Sequence, residues 1–560
     1  VAQQRIVGHG ALFRNAARHP ETREGACYSA GAFAGPLPMT PSAPPPTPAA
    51  ALPAWQRVAV VALPLLTFLL SLGSAPLFDV DEGAFSEATR EMFERRDFLS
   101  TWLDGEPRFD KPILVYWLQA LAVLALGIDE WAFRLPSALA ACGWAWAVWA
   151  FARPRFDNDV AFGALVVTAT ALGPWAIGRA ATADALLNLW LALTLFDAWR
   201  HLETGARAPL RRAYVWIGLG VLTKGPVAIV VPAAVTLLYL LSRRDWRGWL
   251  RLVFDPVGWV ILLALTVPWY AAVLAVHGQA FIDGFIMKHN VKRFTGTLEG
   301  HAGSIFYYVL VLPALLLPWT AALFAALVRL RAEFAQPLPR FLWLWCGFVV
   351  AFFSLSGTKL PHYALYGATP VFLLVALHGR AMTRALPVLA VPTAMFALCI
   401  ALPALFAHLS TTDAGNAFFR GQMSRAYEEA GRGYFVVTGA ALVLWLAIAL
   451  QRRWSVWTRL ATGAVLQALL LATTVVPWSA RVLQGPVKEA ALLAREIGAP
   501  TVRLRFETTP SFSLYRQAVT PSRPAQPGEL VITRIDRVPP GGHEELYRKG
   551  GVVLLRRTAD

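Results

Sequence analysis

Charged residues are scarce in the apolar stretches of this chain and gather at their ends. They are Asp79, Asp81 and Glu82; Asp110 with Lys111; Asp184; Lys224; Lys288 to Arg293; His301; and Lys359 with His362. A charge at membrane depth costs about 3 kcal/mol or more, so residues placed this way tend to mark a site or a pathway. Several flank helix-opening Pro or Gly, in "FDKP", "TKGP" and "GTKLPHY", which reads as a set of loop-to-helix junctions. Preorganised cations at such junctions can stabilise an anion that gains charge as a bond breaks. Arg adds a bidentate fork, and a carboxylate can remove a proton from a hydroxyl acceptor. Each group also has a plainer reading. An acid such as Asp79 or Asp81 at a helix start favours the helix dipole, Lys224 or Lys359 at a span end can anchor to headgroups, and a lone loop histidine is commonly just polar.

The elements that would position these groups are helices in a bilayer. Of 560 residues, 56% are hydrophobic, with 22 Trp and 32 Phe, and the apolar residues arrive in blocks of about 18 to 22 between short basic or Pro/Gly breaks. A soluble core cannot hide so many blocks, and a membrane barrel would show short alternating segments. The formal charge of +16 would suggest nucleic acid in a soluble domain, but Lys and Arg sit mainly in short loops, where they mark the cytoplasmic side. No nucleic-acid partner is expected. Cys27 lies in the leader, and Cys142, Cys346 and Cys399 lie inside apolar segments, without spacing for zinc or a disulfide framework.

The expected fold class is mostly α: a polytopic helical membrane protein of about thirteen spans with a small C-terminal α/β domain. Residues 1–54 are rich in Ala, Pro, Gly and Arg and read as a disordered leader. Candidate spans lie near 56–73, 133–152, 159–177, 183–199, 212–223, 225–241, 256–275, 305–328, 340–355, 362–378, 384–407, 434–451 and 458–477. Basic loops at 152, 200, 242, 329, 378 and 451 face the cytoplasm. With the N-terminus inside, parity then requires 112–127 to enter and leave on the outer side. Juxtamembrane helices are therefore expected over about 80–127 within a transmembrane domain covering 55–478. After 478, "VKEAALLAREIG" reads as a helix, and "TVRLRF", "ELVITRI" and "GGVVLLRR" read as strands of an outer α/β domain over 479–560. In "PLFDVDEGAFSEATREM", Phe85, Ala88 and Met92 recur at helical spacing opposite Glu87, Arg90, Glu91 and Glu94, so a helix lying on the membrane should begin near Glu82 with Asp81 at its start.

A resemblance rests on seven motifs in order: "DVDEGAFSEATREM", "RFDKPILVYW", "RLPSAL", "GRAATADALL", "LTKGPVA", "KHNVKRF" with "EGHAGSIFYY", and "GTKLPHYAL". From about 55 to 480 the chain resembles GT-C membrane glycosyltransferases that use polyprenyl-phosphate sugars. It is most similar to the lipid A 4-amino-4-deoxy-L-arabinose transferase branch, related to protein O-mannosyltransferases. The resemblance implies thirteen spans and an inverting transfer from undecaprenyl phosphate to lipid A phosphate. It also implies a multi-pass protein of the bacterial inner membrane with its active site on the periplasmic face. Such a product lowers surface negative charge and so confers resistance to cationic antimicrobial peptides. Two departures stand out: Gly83, Ala84 and Phe85 replace a frequent Thr-Arg-Tyr, and Asp110 replaces a Glu.

Carried over residue by residue, the resemblance implies Asp81 and Asp184 as catalytic acids, and Lys111 and Arg293 as the cations on the lipid phosphate. Lys224 and Lys359 are alternate cations for that phosphate, and Glu82, Lys224, Lys359 and Tyr363 are the further candidate substrate contacts read from the residues themselves. Asp110 with His301 would hold a divalent metal such as zinc, and no nucleotide cofactor is implied. The partners are the undecaprenyl-phosphate sugar, lipid A and membrane lipids. A phosphate acceptor, with a second pKa of about 6, is already largely ionised, which leaves Asp81 a positioning role; a protein hydroxyl would need it as a base. The alternatives are a protein O-mannosyltransferase-like enzyme and a polyprenyl lipid transporter, the latter expected to show related halves or broken midplane helices.

Overall fold

The computed structural model describes residues 51–297, 300, 303–412, 415–506 and 509–558. Most of the expected leader, and His301, lie outside them. The first helices are α1 (Ala54–Leu69), α2 (Asp81–Arg95), α3 (Leu114–Leu126), α4 (Glu130–Ala152), α5 (Asn158–Thr170) and α6 (Leu172–Gly178). They continue as α7 (Asp184–Thr204), α8 (Arg207–Lys224), α9 (Val227–Ser242), α10 (Trp246–Val253) and α11 (Pro256–His277). Helices then dominate to residue 497, as the apolar pattern requires. Each of the thirteen candidate spans falls on helix. Among the described residues six helices are long and apolar enough to cross a bilayer alone, and seven when α5 and α6, bent by 60°, count as one crossing. Several of the others are short or broken, for identifiable reasons. The 305–328 segment is two helices, Tyr307–Leu315 and Thr320–Glu333, split around Pro318, which has no N–H to continue the ladder. The 362–378 segment opens as a 3₁₀ turn, Pro361–Gly367, before Thr369–Gly379. α7 and α8 carry Asp184, Asp197, Arg212 and Lys224, charges that lower their apolarity.

α3 has 13 residues, about 20 Å of helix, too short for a hydrocarbon core of about 30 Å. It packs on α2 and α4 and keeps Leu121 and Leu124 exposed. α2 begins at Asp81 with Asp81 and Glu82 in its first turn and Arg95 in its last, a charge order that suits the helix dipole. Phe85, Ala88 and Met92 pack with Ile113, Val115 and Tyr116. The opposite face differs from expectation, because Glu87 and Glu91 are fully buried and Arg90 nearly so. Arg90 forks onto Glu87 at 2.7 and 2.8 Å, and Glu91 takes Arg95 and the Gly105 N–H. The short ribbon of β1 (Trp102–Leu103) and β2 (Glu106–Pro107) and the C-terminal domain cover that face.

The C-terminal domain is an α/β unit. The helix Gly485–Ile497 packs on a four-stranded sheet of β3 (Thr501–Arg503), β4 (Leu530–Arg534), β5 (His543–Lys549) and β6 (Val552–Arg557), in the order β3-β4-β6-β5. β3 and β4 pair in parallel; the other pairs are antiparallel. The expected helix and three strands are present. β5, "HEELYRK", was not foreseen, since an edge strand with charged residues lacks the apolar signal of a central one. The helix Pro510–Arg516 of this domain packs on α2, so the domain lies on the same face as Asp81.

Candidate active site

Three helix ends and one π-helix bring the charges together. α2 supplies Asp81 at its N-terminus and α7 supplies Asp184 at its own. α8 ends at Lys224, and Gly225, at a φ of 86°, turns the chain straight into α9. Glycine is needed there, because its conformation favours no side chain and a Cβ would stand 2.8 Å from the Phe285 ring. The π-helix Ile282–Lys292 carries His289 and delivers Arg293; such irregular turns recur at functional sites. Asp110 and Lys111 come from the loop before α3.

Asp81 faces a polar cavity of about 590 Å³ whose walls include Arg108, Asp110, Lys111, Asp184, Lys224 and Arg293. Asp110, Lys111, Lys224 and Arg293 also line a second cavity of about 210 Å³, whose other walls are mainly apolar, among them Val227, Val230, Phe285, Phe352 and Phe353, with His289, Asn290 and Ser356 as polar members. The two spaces therefore adjoin along a wall of three cations and one acid. Lys111 Nζ lies 2.6 Å from Asp110 Oδ1, and Arg108 Nη2 donates to Oδ2 at 2.9 Å. Lys224 Nζ donates to Asp184 Oδ1 at 2.6 Å, as does the Tyr366 hydroxyl at 2.9 Å, and His362 Nε2 stands 3.6 Å away. Lys224 also sits 5.5 Å from the centres of both the Tyr363 and Tyr366 rings. Arg293 reaches the Tyr363 hydroxyl at 3.5 Å.

Asp81 is enclosed by protein on most sides yet exposed to the cavity. Burial raises its carboxyl above the usual range, and the Asp184 charge adds to this, while Lys111 opposes it. Burial likewise pulls the Lys111 ammonium below its ordinary value, with Asp110 opposing. Asp110 is held well below the ordinary carboxylate value, because Lys111, His289 and Arg108 together outweigh its burial.

The structure thus gathers Asp81, Asp184, Asp110, Lys111, Lys224, Arg293 and Tyr363. It does not bring in Glu82 or Lys359. Glu82 is buried under Arg134, whose Nε and Nη2 lie 2.8 and 2.7 Å from its two oxygens, and it also accepts from the N–H groups of Ala181 and Phe78. Lys359 is buried too, and its ammonium donates to the carbonyls of Ser354 and Ser356 at 3.0 and 2.6 Å, closing the C-terminal end of the helix Pro337–Ser354. Each is held by protein groups, and neither lines a cavity with Asp81. Sequence pairs Asp110 with His301, which lies outside the described residues; among those described, the imidazole beside Asp110 is that of His289, with Nδ1 3.0 Å from Oδ1. Its signal was its place in "KHNVKRF", four residues before Arg293, about one helical turn. Arg108 and Tyr366 were also missed; Arg108 was legible only as part of "RFDKP", and Tyr366 reads from sequence as one more interfacial aromatic.

A helical bundle with acids and cations gathered at one end, and a small α/β domain packed against that end, is a fold shared with solved structures. The crystal structure of ArnT from Cupriavidus metallidurans bound to undecaprenyl phosphate superposes with a TM-score of 0.73 over 89% of this chain and 97% of that one, at 22% identity. The family described as dolichyl-phosphate-mannose-protein mannosyltransferase matches residues 110–271. Curated relatives named undecaprenyl phosphate-alpha-4-amino-4-deoxy-L-arabinose arabinosyl transferase are those the sequence motifs resemble. That of Serratia proteamaculans (strain 568) is 29% identical over 328 residues, 57% of this chain and 58% of the relative. That of Yersinia enterocolitica serotype O:8 / biotype 1B is 30% identical over 320 residues, 56% of this chain and 57% of the relative. The chain thus spans less than three fifths of the length of these curated relatives.

Proposed function

We propose that this chain transfers 4-amino-4-deoxy-L-arabinose from undecaprenyl phosphate to a phosphate of lipid A, on the periplasmic side of the bacterial inner membrane, and so confers resistance to cationic antimicrobial peptides. The observation that carries this reading is the cation wall shared by an apolar and a polar cavity. An isoprenoid phosphate suits such a boundary, since its chain prefers the apolar side and its anionic head the cations. The names of the curated relatives and of the superposed structure support the donor; lipid A as acceptor follows from the motif resemblance.

In the reaction an oxygen of the acceptor phosphate attacks the anomeric carbon, and the bond from that carbon to the donor phosphate oxygen breaks with inversion. The electron pair stays on the departing phosphate. Lys111 and Arg293 hold that phosphate, and their fixed charge matters most as its negative charge grows. Asp184 pins Lys224 in the same wall. An ionised phosphate acceptor needs no base, so Asp81 orients the acceptor or the amino sugar, or stabilises positive charge developing at the anomeric carbon. A divalent metal such as zinc remains part of the proposal, with Asp110 and His301, which lies outside the described residues, as the residues that would hold it; among the described residues His289 stands beside Asp110. His289 Nδ1 faces Asp110 without a hydrogen-bond geometry. Among the described residues no third His, Cys, Asp or Glu joins them, one short of the usual catalytic set. No step is routed through a metal.

The test is Asp81→Asn in cells lacking their own enzyme, read by mass analysis of lipid A. Full sugar addition by the variant overturns the role of Asp81. The match of residues 110–271 to a protein mannosyltransferase family favours a second reading, transfer of another sugar to protein; parent cells with the sugar on protein and none on lipid A select it.

A further inference from the structure

The acid two residues before Asp81 is bound by the C-terminal domain. Asp79 Oδ1 accepts the backbone N–H of Ser511 at 3.0 Å, and Oδ2 accepts the Ser511 hydroxyl. The segment leading to it is held from the same side, since the Leu77 N–H donates to the Tyr515 hydroxyl at 2.8 Å. Phe78 N–H is tied to Glu82 Oε2 at 2.9 Å, so both flanks of the turn that presents Asp81 are fixed. Two further acids receive the domain. Asp104 pairs with Arg503 and Ser513, and Glu130 pairs with Lys488 and Tyr515. Of the three, Asp79 alone lies in the turn that opens α2. Gly83 belongs to the same arrangement. A Cβ at that position would stand 2.1 Å from Asp79 Oδ1 and 2.8 Å from Ser511 N, so the close approach of domain and helix depends on the missing side chain.

We propose that Asp79, Ser511 and Gly83 form a latch through which the C-terminal domain fixes the first turn of α2, and with it the position of Asp81. Asp79 is a positioning residue, and the domain is a working part of the transferase. The inference rests on the reading that Asp81 acts in the transfer. A shift of a reacting group by about 1 Å can cost as much as a hundredfold in rate, so a loosened turn should be read out in kcat. Donor binding belongs to Lys111 and Arg293, on other elements, and should not change.

The experiment uses the full chain in vesicles, with undecaprenyl-phosphate-aminoarabinose and lipid A as substrates, and measures kcat, donor KM and undecaprenyl phosphate affinity. Asp79→Ala and Gly83→Thr should lower kcat about tenfold or more at unchanged donor KM. Ser511→Ala, which keeps the backbone bond, should lower it less. Asp79→Asn should recover most of the rate, because its amide can accept from Ser511 N–H and donate to the hydroxyl. Asp79→Ala and Ser511→Ala should be non-additive in the double variant, as groups in one network are. Glu489→Gln, which loses contacts to Tyr547 and Lys549 inside the C-terminal domain, should keep the parent kcat. Parental kcat in Asp79→Ala, Ser511→Ala and Gly83→Thr overturns the latch, as does a loss in Glu489→Gln equal to that in Ser511→Ala. Should Asp79→Ala not fold, Ser511→Ala and the double variant with Asp79→Asn still decide. If Asp81→Asn itself transfers sugar normally, the functional reading fails and the latch with it; if Asp81→Asn is inactive while the latch variants are normal, only the latch fails.

Discussion

Truncation of Glu82 separates the two roles this residue could have. As a substrate contact its loss would weaken substrate use at little cost in stability. The structure assigns the opposite. Glu82 and Arg134 are 4% and 3% exposed, and the guanidinium makes two bonds to the carboxylate and three to the carbonyls of Leu72, Ala75 and Pro76, at 2.7 to 3.0 Å. Glu82→Ala strands a buried guanidinium without its counter-charge and leaves the N–H groups of Phe78 and Ala181 without an acceptor. Removing one partner of a buried ion pair costs about 3–5 kcal/mol, and the orphaned donors add to that. Replacing both members with apolar residues, Glu82→Leu with Arg134→Met, should recover part of the loss, since a buried pair often breaks even against packed hydrophobes. The assay is thermal unfolding of purified protein in detergent, with undecaprenyl phosphate affinity measured on the surviving folded fraction. The expected result is a large drop in stability for Glu82→Ala, partial recovery in the double variant, and unchanged affinity. A variant as stable as the parent but with a raised substrate KM would refute the reasoning.

Arg293→Ala should weaken undecaprenyl phosphate binding by about 10- to 100-fold, corresponding to about 1.5–3 kcal/mol for a hydrogen bond to a charged group, whereas Lys359→Met should leave that affinity alone and lower thermal stability; binding titrations and melting curves check both. Burial pushes the Asp79 carboxyl from its ordinary 3.8 up to about 7, so between these values the folded chain holds a proton that the unfolded chain releases. The stability this group contributes is full below the unfolded value and is lost as pH rises through about 7, and melting curves at about pH 5 and 8.5 should fall further for the parent than for Asp79→Asn. His301→Ala should abolish any stoichiometric divalent metal found in the purified protein by elemental analysis, while His277→Ala, whose imidazole contacts Ser100, should not.

Much of this protein was legible along the chain. Long apolar runs leave helices as the only economical backbone in a bilayer, so the helical stretches, the short α3 and the switch to an α/β domain could be read from composition and parity. So could Asp81, Lys111, Asp184, Lys224 and Arg293, because a charge at the end of an apolar run is costly unless it is used or paired. Pairing was not legible. Glu82 sits next to Asp81 in sequence, but successive helical residues point about 100° apart, so one faces the cavity and its neighbour faces Arg134, 52 positions later. Lys359 reads as a site cation in sequence, but its ammonium donates to the carbonyls of Ser354 and Ser356 at the end of the preceding helix. His289 stands beside Asp110 on a π-helix, whose register local sequence spacing only hints at. What kind of side chain stood at each membrane edge was written in the sequence; which of them met across the bundle was decided by tertiary packing, since such contacts join residues that no local period relates.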